Sequence, residues 1–160
     1  MKIGIFPLNL VIFPESIYPL HIFEDGYKNL INTCMAEKSE FGIILTNGSD
    51  MAEYGCTARV YSVIRKYPDG KMDVNVIGCN RFKLQDYAVG ENLYIEANVE
   101  LVKDTEEDTD DKLLDSCLEL YNSITNKIPV FRVQQTAKEE LVGKYASYFF
   151  AQKVGTTNEP

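Results

Sequence analysis

The sequence predicts an α+β fold, a strand-rich unit followed by a helical segment. Three observations carry this. Up to about residue 102 the chain is rich in β-branched and aromatic residues, with Gly, Pro and Asn as punctuation. Six acids then crowd into the eight residues 104–111. Beyond that run, apolar residues recur at helical spacing. With 160 residues, 45% of them hydrophobic and 25% charged, the chain can bury its own core without metal or disulfide.

The opening, MKIGIFPLNLVIFPES, is apolar, but Pro7 and Pro14 break any helix there, and no small-residue cleavage site follows. A helix is expected over residues 26–38, capped by Asp25, because Tyr27, Leu30, Ile31, Cys34 and Met35 share one face. Residues 41–46, FGIILT, are almost wholly apolar and read as a buried central strand. Residues 59–78 read as a hairpin. Val60, Ser62 and Ile64 alternate with Tyr61, Val63 and Arg65, Pro68-Asp69-Gly70 makes the turn, and Met72, Val74 and Val76 line the return strand. A turn at residues 78–80 should precede a further strand through Phe82 and Leu84, and residues 93–101 alternate as another.

The acidic run reads as an exposed linker over residues 103–111 that ends in a helix cap. A cation site would need a fixed loop with a turn glycine, and none is present. The first helix after it carries Leu113, Leu114, Cys117, Leu118, Tyr121 and Ile124, and Ile128-Pro129 ends it. A second helix is expected from about residue 135 to 153, with Ala137, Leu141, Val142, Tyr145, Tyr148 and Phe149 inward. The expected organisation is therefore a β-rich unit (1–102), an acidic linker (103–111), a helical appendage (112–154) and a flexible tail (155–160).

Net charge is −8, from 16 Lys and Arg against 24 Asp and Glu. Such a chain repels phosphate backbones unless its cations cluster, so no nucleic-acid partner is expected. Arg59, Arg65, Lys66, Lys71, Arg81 and Lys83 are dispersed along the strands and read as a solvated sheet face. No apolar run reaches the roughly 18–20 residues that span a bilayer, which predicts a cytoplasmic protein without a membrane partner. Cys34, Cys56, Cys79 and Cys117 form no CxxC pair, and with His21 the sole histidine no zinc site can be assembled. Scattered buried thiols in a reducing compartment fit better.

Catalytic machinery is not expected. The frame of a phosphate-binding loop is missing, Gly143-Lys144 lies in a helical pattern, and no GxSxG occurs. Cys79, two residues before Arg81, is the one cysteine with a nearby cation, which is a weak signal for a nucleophile. His21 is expected to anchor the turn before the first helix through the backbone or Glu24 rather than to act as a base. HIFE (21–24), FGIIL (41–45) and Arg81-Phe82 read as core. No catalytic residue, cofactor or metal ligand is assigned.

Several blocks, taken together and in order, resemble the N-terminal domain of Lon proteases. They are Ile5-Phe6-Pro7-Leu8, Val11-Ile12-Phe13-Pro14 and Pro19-Leu20-His21-Ile22-Phe23-Glu24 with Tyr27 just beyond. Phe41-Gly42-Ile43-Ile44-Leu45, Gly55-Cys56-Thr57-Ala58-Arg59-Val60, and Asp69-Gly70 through Gly78 to Arg81-Phe82 continue the pattern. Glu15 stands where the family usually has Gly, and Asp25-Gly26 where it has Pro-Arg, which suggests a different turn and removes a cation at the helix start. The resemblance implies a PUA-like pseudo-barrel of mostly antiparallel strands with one inserted helix and a helical extension. It also implies a stand-alone, non-enzymatic module, without the ATPase and Ser-Lys peptidase domains, that binds unfolded or damaged polypeptides. Such a module would serve as an adaptor or regulator in protein quality control, with a protease or chaperone encoded elsewhere as a further partner. The runner-up is nucleic-acid binding, for which PUA-like barrels are also used. Among the 18 aromatics, Tyr61 and Tyr67 on outer strand faces are the candidate polypeptide-binding residues.

Overall fold

Two long strands, paired with each other, carry three of the other four strands of this chain, and the fourth bridges two of those. The computed structural model describes residues 1–48, 50–104, 110–127, 141 and 145–154. Their order is β1 (Lys2–Leu8), β2 (Ile17–Ile22), α1 (Asp25–Glu37), β3 (Phe41–Thr46), β4 (Met51–Lys66), β5 (Met72–Val89), β6 (Ile95–Leu101), α2 (Asp111–Thr125) and α3 (Tyr145–Val154). The sheet runs β2-β5-β4-β3-β1-β6, and β5 pairs again with β6, which closes β1, β3, β4, β5 and β6 into a barrel. Every ladder is antiparallel except β1 with β3. The fold is the mixed, mainly antiparallel α+β arrangement expected.

Central strands are apolar because both of their faces are buried. Phe6 on β1 and Ile43 on β3 join Leu30 and Ile31 of α1 in one core, together with Ile22, Met72, Val74 and Val76. Their neighbours Ile5 and Ile44 point the other way, onto Phe82, Ala97 and Val99 inside the barrel. Parallel pairs normally need such double cover, and FGIIL provides it. Each fully buried Ile or Phe contributes roughly 1.5–3 kcal/mol.

The helix boundaries shift slightly from expectation. α1 begins at Asp25, with Glu24 in the extended N-cap position and no side-chain cap. Asp25 therefore sits in the first turn, beside the positive end of the helix dipole, and pairs with Lys28 at 2.6 Å. The helix stops at Lys38, whose left-handed backbone (φ 54°) returns its N–H to the Cys34 carbonyl.

Residues 78–80 do not turn. β5 passes straight through them, so Phe82 and Leu84 belong to the same 18-residue strand as Met72. Gly78 is needed for close approach, because a Cβ there would lie 2.2 Å from the Phe13 carbonyl oxygen. The irregularity lies in the register, which goes from Cys56 opposite Arg81 to Ala58 opposite Gly78. Buried Thr57 fills the gap: its hydroxyl accepts from the Asn80 N–H at 3.0 Å and donates to the Asn80 carbonyl at 3.3 Å. Leu93, expected at the start of a strand, has φ 66° in the preceding turn, and β6 starts at Ile95.

In the acidic run, Asp110 caps α2 as expected: its side chain accepts from Lys112 N at 2.9 Å and Leu113 N at 3.2 Å. Asp104, at the other end of the run, is no solvated linker residue. It accepts from Arg81 Nε at 2.9 Å and from Tyr148 Oη at 2.7 Å, which ties α3 to the barrel. Residues 105–109, Ile128-Pro129, residues 135–140 and the 155–160 tail lie outside the described residues. The last helix is described from Tyr145, not from about 135, and Leu141 is not helical. Helical spacing included Leu141 because its side chain reaches the same small core, with Leu114, Leu118 and Ala146. The apolar stripe of α2 is narrower than expected: Leu113 and Ile124 are exposed.

Candidate functional site

β4 changes environment along its length. Its pairing with β3 runs from Met51 to Ala58. Over residues 59–66, among the described residues, only β5 pairs with it. This half of β4, the first half of β5 and β2 form a three-stranded flap that extends from the barrel. Met72, Val74 and Val76 on its inner face share a core with Leu30, Ile31 and Cys34 of α1, which itself lies against β4 and β3. Among the described residues no strand pairs with the other edge of β4 here.

The flap register contains two extra residues. Val60 faces Val76 while Ser62 faces Asn75, so Tyr61 has no opposite number on β5. Val63 faces Val74 while Arg65 faces Asp73, which leaves Ile64 in the same position. Such bulges bend a strand and re-aim side chains. Tyr61 and Ile64 are accordingly 57% and 59% exposed, and Val63 between them is also exposed. The expected face of Val60, Ser62 and Ile64 does not exist, because each bulge resets the alternation.

Beside this ridge stands a polar and aromatic cluster built on Asp73. His21 Nδ1 meets Asp73 Oδ1 at 2.6 Å, and the Tyr67 hydroxyl donates to Asp73 Oδ2 at 2.7 Å. These two hydrogen bonds, His21 first and Tyr67 second, hold the Asp73 carboxyl below the usual range. The same bond to Asp73 raises the Tyr67 phenol above its ordinary value. Phe23 stacks on His21 at 5.8 Å, and the Arg65 guanidinium lies 4.7 Å from the Tyr67 ring centroid. His21 thus fastens β2 to β5 through Asp73, not through the backbone or Glu24. Phe23, expected in the core, is 54% exposed: only Ile22 of HIFE is fully buried.

Both predicted tyrosines therefore lie on the flap but differ in state. Tyr61 is open, whereas Tyr67 is half-buried and tied into the Asp73 cluster. Sequence reasoning missed Val63, Ile64 and Phe23. For the first two the missing signal was the bulges, which no local spacing announces. Phe23 ends β2's alternation, where a strand-end residue can face either way.

Elsewhere, a cleft of about 510 Å³ lies between β5, the stretch that follows β6 and the start of α3, lined by Arg59, Cys79, Arg81, Lys103, Asp104 and Tyr145 among others. Arg81, expected with Phe82 in the core, is half-exposed here and ion-paired with Asp104. The Cys79 thiol is pushed up to about 11 by burial and then by Glu40, and burial pushes Cys56 up to about 12. Neither is an activated nucleophile. Among the described residues no group of His, Cys, Asp and Glu is arranged to hold a metal. Lys71 and Lys83 meet Asp69 and Glu53 at 2.8 and 2.9 Å, so with Arg81 on Asp104 these three cations are engaged by acids. Among the described residues no helix is long and apolar enough to cross a membrane.

Comparison with known proteins adds the relationship. The chain is 30% identical to the Lon protease of Flavobacterium johnsoniae over 142 residues, covering 81% of this chain and 17% of that protein. It is 27% identical to Lon protease 2 of Syntrophobacter fumaroxidans over 110 residues, 63% of this chain and 14% of that one. It thus spans only a small part of these curated relatives. Among solved structures, a Lon N-terminal domain protein from Xanthomonas campestris superposes with a TM-score of 0.66 at 26% identity, covering 78% of this chain and 75% of that one. The N-terminal domain of a Mycobacterium avium complex Lon protease shares the fold at TM-score 0.73 and 15% identity, over 99% of this chain and 83% of that one. The family model of the ATP-dependent protease La (LON) substrate-binding domain matches residues 2–160, and the chain belongs to that family.

Proposed function

We propose that this chain is a non-enzymatic module that binds unfolded or damaged polypeptides and serves as an adaptor or regulator in protein quality control. The family is a substrate-binding one, and the matched region is neither its ATPase nor its peptidase. The observation that carries the reading is the exposed ridge of Tyr61, Val63 and Ile64, with Phe23 on the same flap. A folded protein rarely presents adjoining large apolar side chains on an open strand edge unless a partner covers them. The four free cysteines suit the reducing cytoplasm, where a protease or chaperone encoded elsewhere would receive the bound chain. We also take the barrel (1–102) as the binding unit and the segment 112–154 as an appendage with its own small core.

Affinity should be modest, because a disordered ligand loses conformational entropy as it docks. The test is titration of a fluorescent, reduced, unfolded protein against the folded chain. Saturable binding is expected. A flat response into the high micromolar range would leave only a scaffold or assembly role. Retention on heparin at low salt would instead favour the nucleic-acid alternative, against which the −8 net charge argues.

A further inference from the structure

We propose that the bound polypeptide adds as a strand to the open edge of β4 over residues 59–66, and that the segments preferred there are apolar with acidic flanks. This rests on the polypeptide-binding reading and assigns it a place and a chemistry. An edge strand presents a row of N–H and C=O groups on its unpaired side, and the partner that satisfies such a row is another extended backbone. β3 stops pairing at Ala58, so the edge begins there.

Two features choose the occupant. The first is charge. Arg59, Arg65 and Lys66 lie in this stretch, and no acid occurs in the sequence between Arg59 and Pro68, although the chain as a whole is −8. Asp73, opposite Arg65 on β5, has its hydrogen bonds with His21 and Tyr67 and attracts Arg65 only as a lesser interaction. A second copy of the chain, paired antiparallel about Ser62 and Val63, would set Arg59 opposite Lys66 at both ends, which like charges disfavour. An acid-flanked segment meets the same cations favourably. The second feature is shape. The bulges at Tyr61 and Ile64 bend the edge, which resists a flat, preformed sheet edge. A flexible unfolded segment can follow the bend and cover Tyr61, Val63 and Ile64.

The experiment uses the full chain and a short labelled peptide of alternating Val and Thr between pairs of Glu, with two isomers N-methylated on either the Val or the Thr amides. In an added strand only alternate N–H groups face the protein. One methylation pattern should therefore abolish binding, while the other leaves it within a few-fold of the parent. Replacing Glu by Lys at the peptide ends should weaken binding roughly tenfold, and Arg59→Glu with Lys66→Glu should invert that preference. Amides of residues 59–66 should gain hydrogen-exchange protection in the complex. Equal binding of both methylated isomers, indifference to the terminal charges, or failure of the parent peptide while unfolded protein still binds would each overturn strand addition and leave the broader function standing. If unfolded protein also fails to bind, the broader function falls with it.

Discussion

β4 holds the two regions worth setting side by side. From Tyr54 to Ala58 it lies between β3 and β5, and Cys56, Thr57 and Ala58 are sealed. Over residues 59–66 β5 is its one pairing partner among the described residues, and Tyr61, Val63 and Ile64 are exposed. The outer half is, if anything, richer in strand-favouring side chains, so propensity does not decide burial. A second neighbour does. The closed half is where stability is held, and the open half is where a ligand can be received.

That contrast is broken hardest by Phe82→Ala. Phe82 is fully buried against the closed half, and its loss should cost about 3–5 kcal/mol in urea unfolding. A cost under 1 kcal/mol would mean that the barrel core does not hold the fold. Gly78→Ala tests the junction between the halves. The added methyl meets the Phe13 carbonyl, and about 1–3 kcal/mol should be lost by the same measurement. Asp110→Ala probes a region outside both halves. It removes the α2 cap and should cost about 1 kcal/mol, with helicity falling in far-UV circular dichroism while the barrel is unchanged.

A smaller effect should appear at acid pH. The Asp73 carboxyl is lowered in the folded state, so its contribution is fully present above the unfolded carboxylate value. It fades as pH falls through the lower folded value. Asp73→Asn should flatten that acid limb of a stability-against-pH curve, and an unchanged limb would detach the cluster from stability. The smallest stability change is expected from Tyr61→Ser and Ile64→Ser, within about 0.5 kcal/mol each, yet both should weaken polypeptide binding. A large loss of stability with binding intact would reverse the roles given to the two halves.

Much of the closed half was legible before any coordinates. FGIIL announces a strand buried on both faces, and the alternation over 93–101 announces β6, which starts two residues later at Ile95. What could not be read was anything set by a neighbour distant in sequence. Gly78-Cys79-Asn80 carries the composition of a turn, yet its glycine serves to admit the Phe13 carbonyl. The candidate site was half legible: Tyr61 and Tyr67 lie on the flap, but periodicity of two cannot reveal bulges that depend on the register with β5. His21 was rightly given a structural contact, but its partner lay 52 positions away, at Asp73.

The pairing of β1 also governs how this chain is born. Lys2 lies beside Asn98, and Ile5 beside both Gly42 and Ile95, so β1 is closed by β6, the last strand of the barrel. At synthesis rates of about 5–20 residues per second, β1 waits roughly 5–20 s for β6 to emerge. Throughout that interval Ile5 lacks Ala97 and Val99, its β6 partners in the barrel core. A nascent chain of this protein is thus, for seconds, the kind of unfinished polypeptide that quality-control machinery meets, and ribosome-bound chains ending before residue 95 should remain protease-sensitive in β1.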